Sequence, residues 1–250
     1  MPIALGRRAG SNVGWTSIAA NVAAVRERIA RAAARVRRDP DSITLMAVSK
    51  TVELSRIREA YAAGLRVFGE NRVQEFTEKS AALTDLLGAE WHLIGHLQTN
   101  KAKKATELFT AIDSVDSLRL AEKLNQAARQ TGKQLPVLIE MKVGEEESKH
   151  GIPLSDPELE QLLRAATQLD QLEIRGLMTV PPFTEDPEGA RLYFRAVRDL
   201  RDTIAARKFP AIKMDVLSIG MSHDFEVAIE EGSTCVRVGT AIFGARPKPA

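Results

Sequence analysis

From residue 43 onward the chain alternates short apolar runs with stretches of helical periodicity, and short connections join them. The strand candidates are 43–48, 66–69, 90–94, 110–114, 135–143, 173–178, 214–219 and 234–238. Between them the spacing predicts helices over 54–63, 73–87, 100–108, 117–131, 156–169, 187–206 and 224–231. Ser117 and the Ser155-Asp156-Pro157-Glu158 segment offer helix starts, while Gly64 and Gly132 stand where helices should stop. Strands that alternate with helices must run parallel, because each crossover helix returns the chain to the same edge. Eight such units close a (β/α)8 barrel of the TIM type, and 250 residues is an ordinary length for one. A doubly wound open sheet is the competing arrangement. It would carry a glycine fingerprint after its first strand, where this chain has Ser49-Lys50-Thr51. A further helix over 17–38, ahead of the first strand, can cover barrel surface that the short C-terminal remainder leaves bare. Residues 1–15 read as a disordered lead-in and 16–247 as one barrel domain.

Composition narrows the partners. The net charge of +2, from 35 basic and 33 acidic residues, gives no reason to expect nucleic acid or an anionic membrane. The basic run from Arg26 to Arg38 has helical spacing and reads as a solvated helix face. The single cysteine, Cys235, rules out an intramolecular disulfide, and no apolar run reaches the length that spans a bilayer. A cytoplasmic location is the expectation.

In a parallel barrel the chemistry gathers at the C-terminal ends of the strands, and phosphates favour the last two strand-to-helix loops. The first strand ends in Val48-Ser49-Lys50. A lysine there can simply open a loop; half-desolvated, it is a candidate imine-forming amine. The seventh is followed by Ser218-Ile219-Gly220-Met221-Ser222 and the eighth by Gly239-Thr240. Glycine and serine make turns anywhere, but at these two loops they suit a phosphate. Arg237 alternates with Val236 and Val238, so it faces the barrel interior if they face the helices. There it needs either a structural carboxylate or a ligand acceptor such as a heteroaromatic nitrogen. His92 and His96 share parity in the third strand, about 13 Å apart, too far to share a metal ion, and no metal is expected. Asn71 is a candidate for a ring-edge hydrogen bond and His92 for a stacking contact. Lysine, phosphate cup and interior arginine together describe a site for pyridoxal 5′-phosphate (PLP).

Six segments in order carry a family resemblance: Val48-Ser49-Lys50-Thr51, Phe68-Gly69-Glu70-Asn71, Trp91 to Lys101, Gly176-Leu177-Met178, Ser218 to Ser222, and Val236 to Gly244. With these the chain resembles the pyridoxal phosphate homeostasis protein family, related to the barrel domain of alanine racemase, from about residue 16 to 247. The resemblance implies a PLP-binding barrel with Lys50 as the covalent anchor. It implies Ser222, Gly239 and Thr240 on the phosphate, Arg237 at the pyridine nitrogen and Asn71 beside the ring. His92, Met178, Ser218 and Met221 complete the candidate cofactor-binding set. The function implied is regulation or carriage of intracellular PLP, with apo-enzymes as possible acceptors, and no established turnover.

The alternatives are a weak amino-acid racemase or lyase, and a scaffold in which Lys50, Ser222 and Arg237 are incidental. Racemisation by two bases needs a group on each face of the cofactor, and the racemase relatives supply a tyrosine from a second domain. Tyr61 and Tyr193 both fall in expected helices, away from strand ends. Without a shared site, a monomer is expected. Two departures from the family pattern stand out: Arg72 replaces a usual tyrosine, and Met141-Lys142 replaces a common Val-Asn. His96, His223 and Lys142 are the candidates to substitute for the missing tyrosine, but nothing in the sequence aims them, and no role is assigned to His223.

Overall fold

The computed structural model describes residues 17–146 and 150–245; the lead-in expected over 1–15 lies outside the described residues. Eight parallel strands close on themselves. These are β1 (Thr44–Val48), β2 (Val67–Glu70), β3 (Glu90–Leu93), β4 (Ala111–Val115), β5 (Leu135–Lys142), β7 (Leu172–Thr179), β8 (Ile212–Met221) and β9 (Cys235–Val238). The hydrogen-bonded order β4-β3-β2-β1-β9-β8-β7-β5 becomes a barrel because β4 also pairs with β5. A two-residue strand, β6 (Ile152–Pro153), adds to the outer part of β5 and was not foreseen from the pattern. Closure removes the open edges that a doubly wound sheet would keep.

The helices are α1 (Ile18–Arg35), α2 (Leu54–Ala62), α3 (Val73–Ser80), α4 (Ala102–Leu108), α5 (Leu118–Thr131), α6 (Pro157–Ala165), α7 (Arg191–Ala206), α8 (Phe225–Glu230) and α9 (Thr240–Phe243). The capping residues behave as their chemistry predicts. Ser117 accepts from the Leu120 amide, Asp156 from that of Glu158 with Pro157 in the first turn, and Gly132 ends α5 at φ 66°. The expected helices over 73–87, 100–108, 156–169 and 187–206 are each part α-helix and part 3₁₀ turn.

After β9 only the single turn α9 remains, and α1 fills the surface it cannot cover. Ile18, Val22, Val25, Ile29, Ala32 and Ala33 form its buried stripe, which packs against α8, α9 and α2. Asn21 donates to the Ile242 carbonyl at 2.9 Å, and Arg28 and Arg35 pair with Glu226 and Glu230 of α8. Part of the basic run is therefore a seam between helices.

Close backbone approach fixes where β7 meets β8. A Cβ on Gly176 would sit 1.8 Å from the Val216 carbonyl oxygen, so only glycine permits this pairing. Gly176→Ala is expected to lower the unfolding free energy by about 1–3 kcal/mol in urea denaturation. An unchanged midpoint would mean that the two strands can separate there at no cost.

Candidate functional site

The ends of the strands build a cleft of about 420 Å³ at the C-terminal mouth. Val48 closes β1, Asn71 follows β2, Ile94 and Gly95 follow β3, Val180 follows β7, and Met221 closes β8 with Ser222 and His223 after it. Lys50, Arg237, Gly239 and Thr240 complete the lining. Seven of the ten sequence-predicted residues thus meet on one cavity: Lys50, Asn71, Met221, Ser222, Arg237, Gly239 and Thr240.

Lys50 sits on a turn gripped from both sides. Ser49 Oγ donates to Glu70 Oε1 at 2.7 Å, and Lys79 Nζ donates to the Ser49 carbonyl at 3.1 Å. On the other flank Thr51 takes φ 59°, the left-handed region that a β-branched residue rarely enters. Its amide donates to Glu75 Oε1 at 2.5 Å, and Lys79 bridges Glu75 and Glu70. Burial pushes the Glu70 carboxyl up, against the pull of Lys79 and Ser49. An unfavourable backbone conformation beside Lys50 is therefore over-determined by side chains from β2 and α3.

The β8 and β9 loops interlock around Ser222. Its Oγ accepts from the amides of Gly239 at 3.1 Å and Ala241 at 3.4 Å. Asp224 Oδ1 accepts from the Met221 amide at 2.6 Å, and Gly220 takes φ 93° where a Cβ would strike Ala228 at 2.5 Å. One hydroxyl and two amides converge there with the Thr240 side chain beside them. That donor set suits an anion.

Arg237 is 3% exposed and its acceptors are neutral. Nη1 donates to Ser218 O at 2.6 Å and Oγ at 2.7 Å, and Nη2 donates to Thr179 O at 2.7 Å. The structural carboxylate weighed as its partner is not bonded to it. Burial holds its pKa below the ordinary arginine value, while Asp113, Glu140 and Asp224 oppose that from a distance. Ser218 and Met178 do not line the cleft. They lie fully buried one layer deeper, paired across β7 and β8, and Ser218 acts as the Arg237 anchor.

His92 lies at the opposite mouth. It lines a second cavity of about 470 Å³ among the first residues of the strands, including Thr44, Val67, Glu90 and Ala111. Its Nδ1 is 3.1 Å from Asp113 Oδ1, and its Nε2 is 3.7 Å from Glu90 Oε2. The ring is thus placed away from the cleft, where stacking on a ligand in it is not available. His96 departs from the shared-strand reading too, because β3 stops at Leu93 and His96 stands in the loop beyond. Lys142 ends β5 half-buried and Arg72 is exposed; neither lines the cleft.

Two features were not foreseen. His223 lines the cleft and its Nε2 lies 3.1 Å and 3.0 Å from the carbonyls of Thr184 and Glu185. Glu140 is buried on the interior face of β5, and its Oε2 has no hydrogen-bond partner among the described residues. Burial and then the charge of Asp116 push its carboxyl up to about 7, against the attraction of Arg237. The available signal was parity, since Glu140 falls in step with the interior residues Pro136 and Leu138.

With the geometry in hand, comparison with known proteins assigns the family. Residues 20–247 match the family described as "Alanine racemase, N-terminal domain". The pyridoxal phosphate homeostasis protein of Aquifex aeolicus (strain VF5) is 47% identical over 223 residues, covering 89% of this chain and 95% of the relative. That of Escherichia coli (strain K12) is 45% identical over 231 residues, covering 92% and 97%. The structure of PipY from Synechococcus elongatus PCC7942, with PLP bound, superposes with a TM-score of 0.78 at 40% identity, covering 91% of this chain and 100% of PipY. The chain belongs to the pyridoxal phosphate homeostasis protein family, on the alanine racemase N-terminal barrel.

The far-mouth histidine yields a pH prediction. Burial opposes the charged ring, but Asp113, with Glu90 behind it, outweighs burial and lifts the His92 pKa to about 9. A raised histidine stabilises the fold fully below its unfolded value near 6.5 and loses that contribution as pH rises through about 9. Unfolding free energy is therefore expected to fall across that window in the wild type and to stay flatter in His92→Gln. NMR titration of the ring checks it; a midpoint at or below 6.5 would contradict the ion pair.

Proposed function

We propose that this chain holds PLP as a Schiff base on Lys50 and regulates or carries the cofactor within the cell, with little or no turnover. The observation that carries the reading is convergence. A primary amine, a cluster of hydroxyl and amide donors, and a buried guanidinium come from β1, β8 and β9 to one cavity. The residues fit the cofactor by donor chemistry: the lysine suits an aldehyde, Ser222, Gly239 and Thr240 suit a phosphate, and Arg237 suits an aza-aromatic nitrogen. In this reading Asn71 flanks the ring, and Met221 belongs to the phosphate-side loop. Schiff-base formation joins the lysine amine to the aldehyde carbon and releases one water.

The chain's own residues argue against efficient catalysis. A guanidinium facing the ring nitrogen disfavours a proton there, which weakens the ring as an electron sink. Tyr61 donates to the Leu87 carbonyl at 2.7 Å beneath Arg66, and neither it nor Tyr193 lines the cleft. A two-base racemase would need a second group aimed at the cofactor. His223, already committed to two carbonyls, is the group on the lining that a racemase or lyase reading would have to recruit.

Delivery to apo-enzymes, a monomeric state, a cytoplasmic setting and a single domain over 16–247 belong to the same proposal. The one cysteine is free and buried, so no disulfide calls for an oxidising compartment.

Absorption spectroscopy tests the anchor. Wild-type protein with added PLP is expected to show an imine band that Lys50→Ala lacks while keeping its far-ultraviolet circular dichroism. An unchanged band in that variant would sink the assignment. Arg237→Ala is expected to shift the band or weaken PLP binding by about tenfold or more, the scale of losing one charge-assisted hydrogen bond. No change would confine Arg237 to holding β7, β8 and β9 together.

A further inference from the structure

We propose that His96, Asp116 and His150 form a site for a divalent transition-metal ion of the zinc class on the rim beside the cleft. One ring nitrogen from each histidine and one Asp116 carboxylate oxygen lie within 4.8 Å of one another. The two imidazoles stack nearly parallel, with centroids 3.7 Å apart and planes 10° apart. His96 Nδ1 is 2.8 Å from Asp116 Oδ2. Two imidazoles and one carboxylate suit zinc, cobalt or nickel, whereas calcium and magnesium prefer oxygen alone.

The donors follow three successive barrel strands: His96 after β3, Asp116 after β4 and His150 after β5. At each the backbone is pinned. Gly95 precedes His96; a Cβ there would meet the Asn71 carbonyl oxygen at 2.3 Å, and Ser114 Oγ donates to the Gly95 carbonyl at 2.8 Å. Asp116 precedes Ser117, the cap of α5. Gly151 follows His150 at φ 109°, so close to β5 that a Cβ would lie 2.7 Å from the Lys142 amide nitrogen. Donors on fixed backbone lose little entropy when an ion arrives.

Beside the cluster lies Glu140, buried, with Oε2 unpartnered among the described residues and near enough to feel the charge of Asp116. His96 lies in the loop beyond β3 and His92 at the opposite mouth, so strand spacing does not separate the donors of this group. Three protein donors leave a coordination position for water, as in an open zinc site.

The test uses untagged full-length protein, stripped with chelator and kept free of PLP, so its outcome does not depend on the cofactor reading. Zinc is titrated by calorimetry and cobalt by its visible d–d absorption. The expected result is one ion per chain, with zinc affinity reduced at least about tenfold in His96→Ala and in His150→Ala, and unaffected in His223→Ala. His150 is exposed, so its variant should fold, which circular dichroism verifies. No zinc binding by the wild type, or equal affinity in His150→Ala, would overturn the proposal and leave a hydrogen-bonded histidine stack only.

Discussion

A guanidinium inside a closed barrel is expensive, and the interior is arranged around the one that Arg237 carries. Unpaired, such a charge would cost several kcal/mol. Here its fork is filled by the Thr179 carbonyl and by the carbonyl and hydroxyl of Ser218, which ties β9 to β7 and β8. Neutral acceptors satisfy the hydrogen bonds without cancelling the charge. Asp113, Glu140 and Asp224 act on it only from a distance, against the burial that lowers its pKa. That division leaves a positive group on the cleft lining, held in place and not quenched by a direct ion pair.

The layers on either side follow from this arrangement. Toward the N-terminal mouth, half-buried His92 pairs with buried Asp113, a contact that belongs to the barrel's stability. Toward the C-terminal mouth, the lysine turn and the Ser222 loop face each other across the cleft. Thr51 is held at a positive φ that a β-branched residue rarely adopts, and Gly220 takes one that glycine adopts freely and where no side chain fits. Strain of this kind concentrates where backbone must be presented to a ligand. A pinned lysine turn facing a pinned serine loop, with no tyrosine on the lining, supports the proposed holding of a cofactor over its turnover.

Most of the fold was legible because parallel strands are nearly uniform apolar runs and their helices have a clear period. The barrel strands lie within two residues of their expected bounds, and the early helix covers the gap that α9 cannot. Loops that carry glycine, serine and lysine at strand ends brought most of the site with them. What failed did so for identifiable reasons. His92 was assigned by residue type, yet parity says only that a side chain faces inward, and its depth decides which mouth it serves. The bond from Arg237 to Ser218 crosses strands, and register is invisible to a reading along the chain. His150 meets His96 only because Gly151 lets its loop close on β5.

Chemical trapping addresses the proposed Lys50 anchor most directly. Purified protein incubated with PLP is reduced with borohydride, digested and mapped by mass spectrometry. A pyridoxyl group on the peptide containing Lys50, at one per chain, is the predicted result. An adduct on another lysine, or none with excess PLP, would contradict it and would mean that the donors of the β8 and β9 loops serve a different ligand.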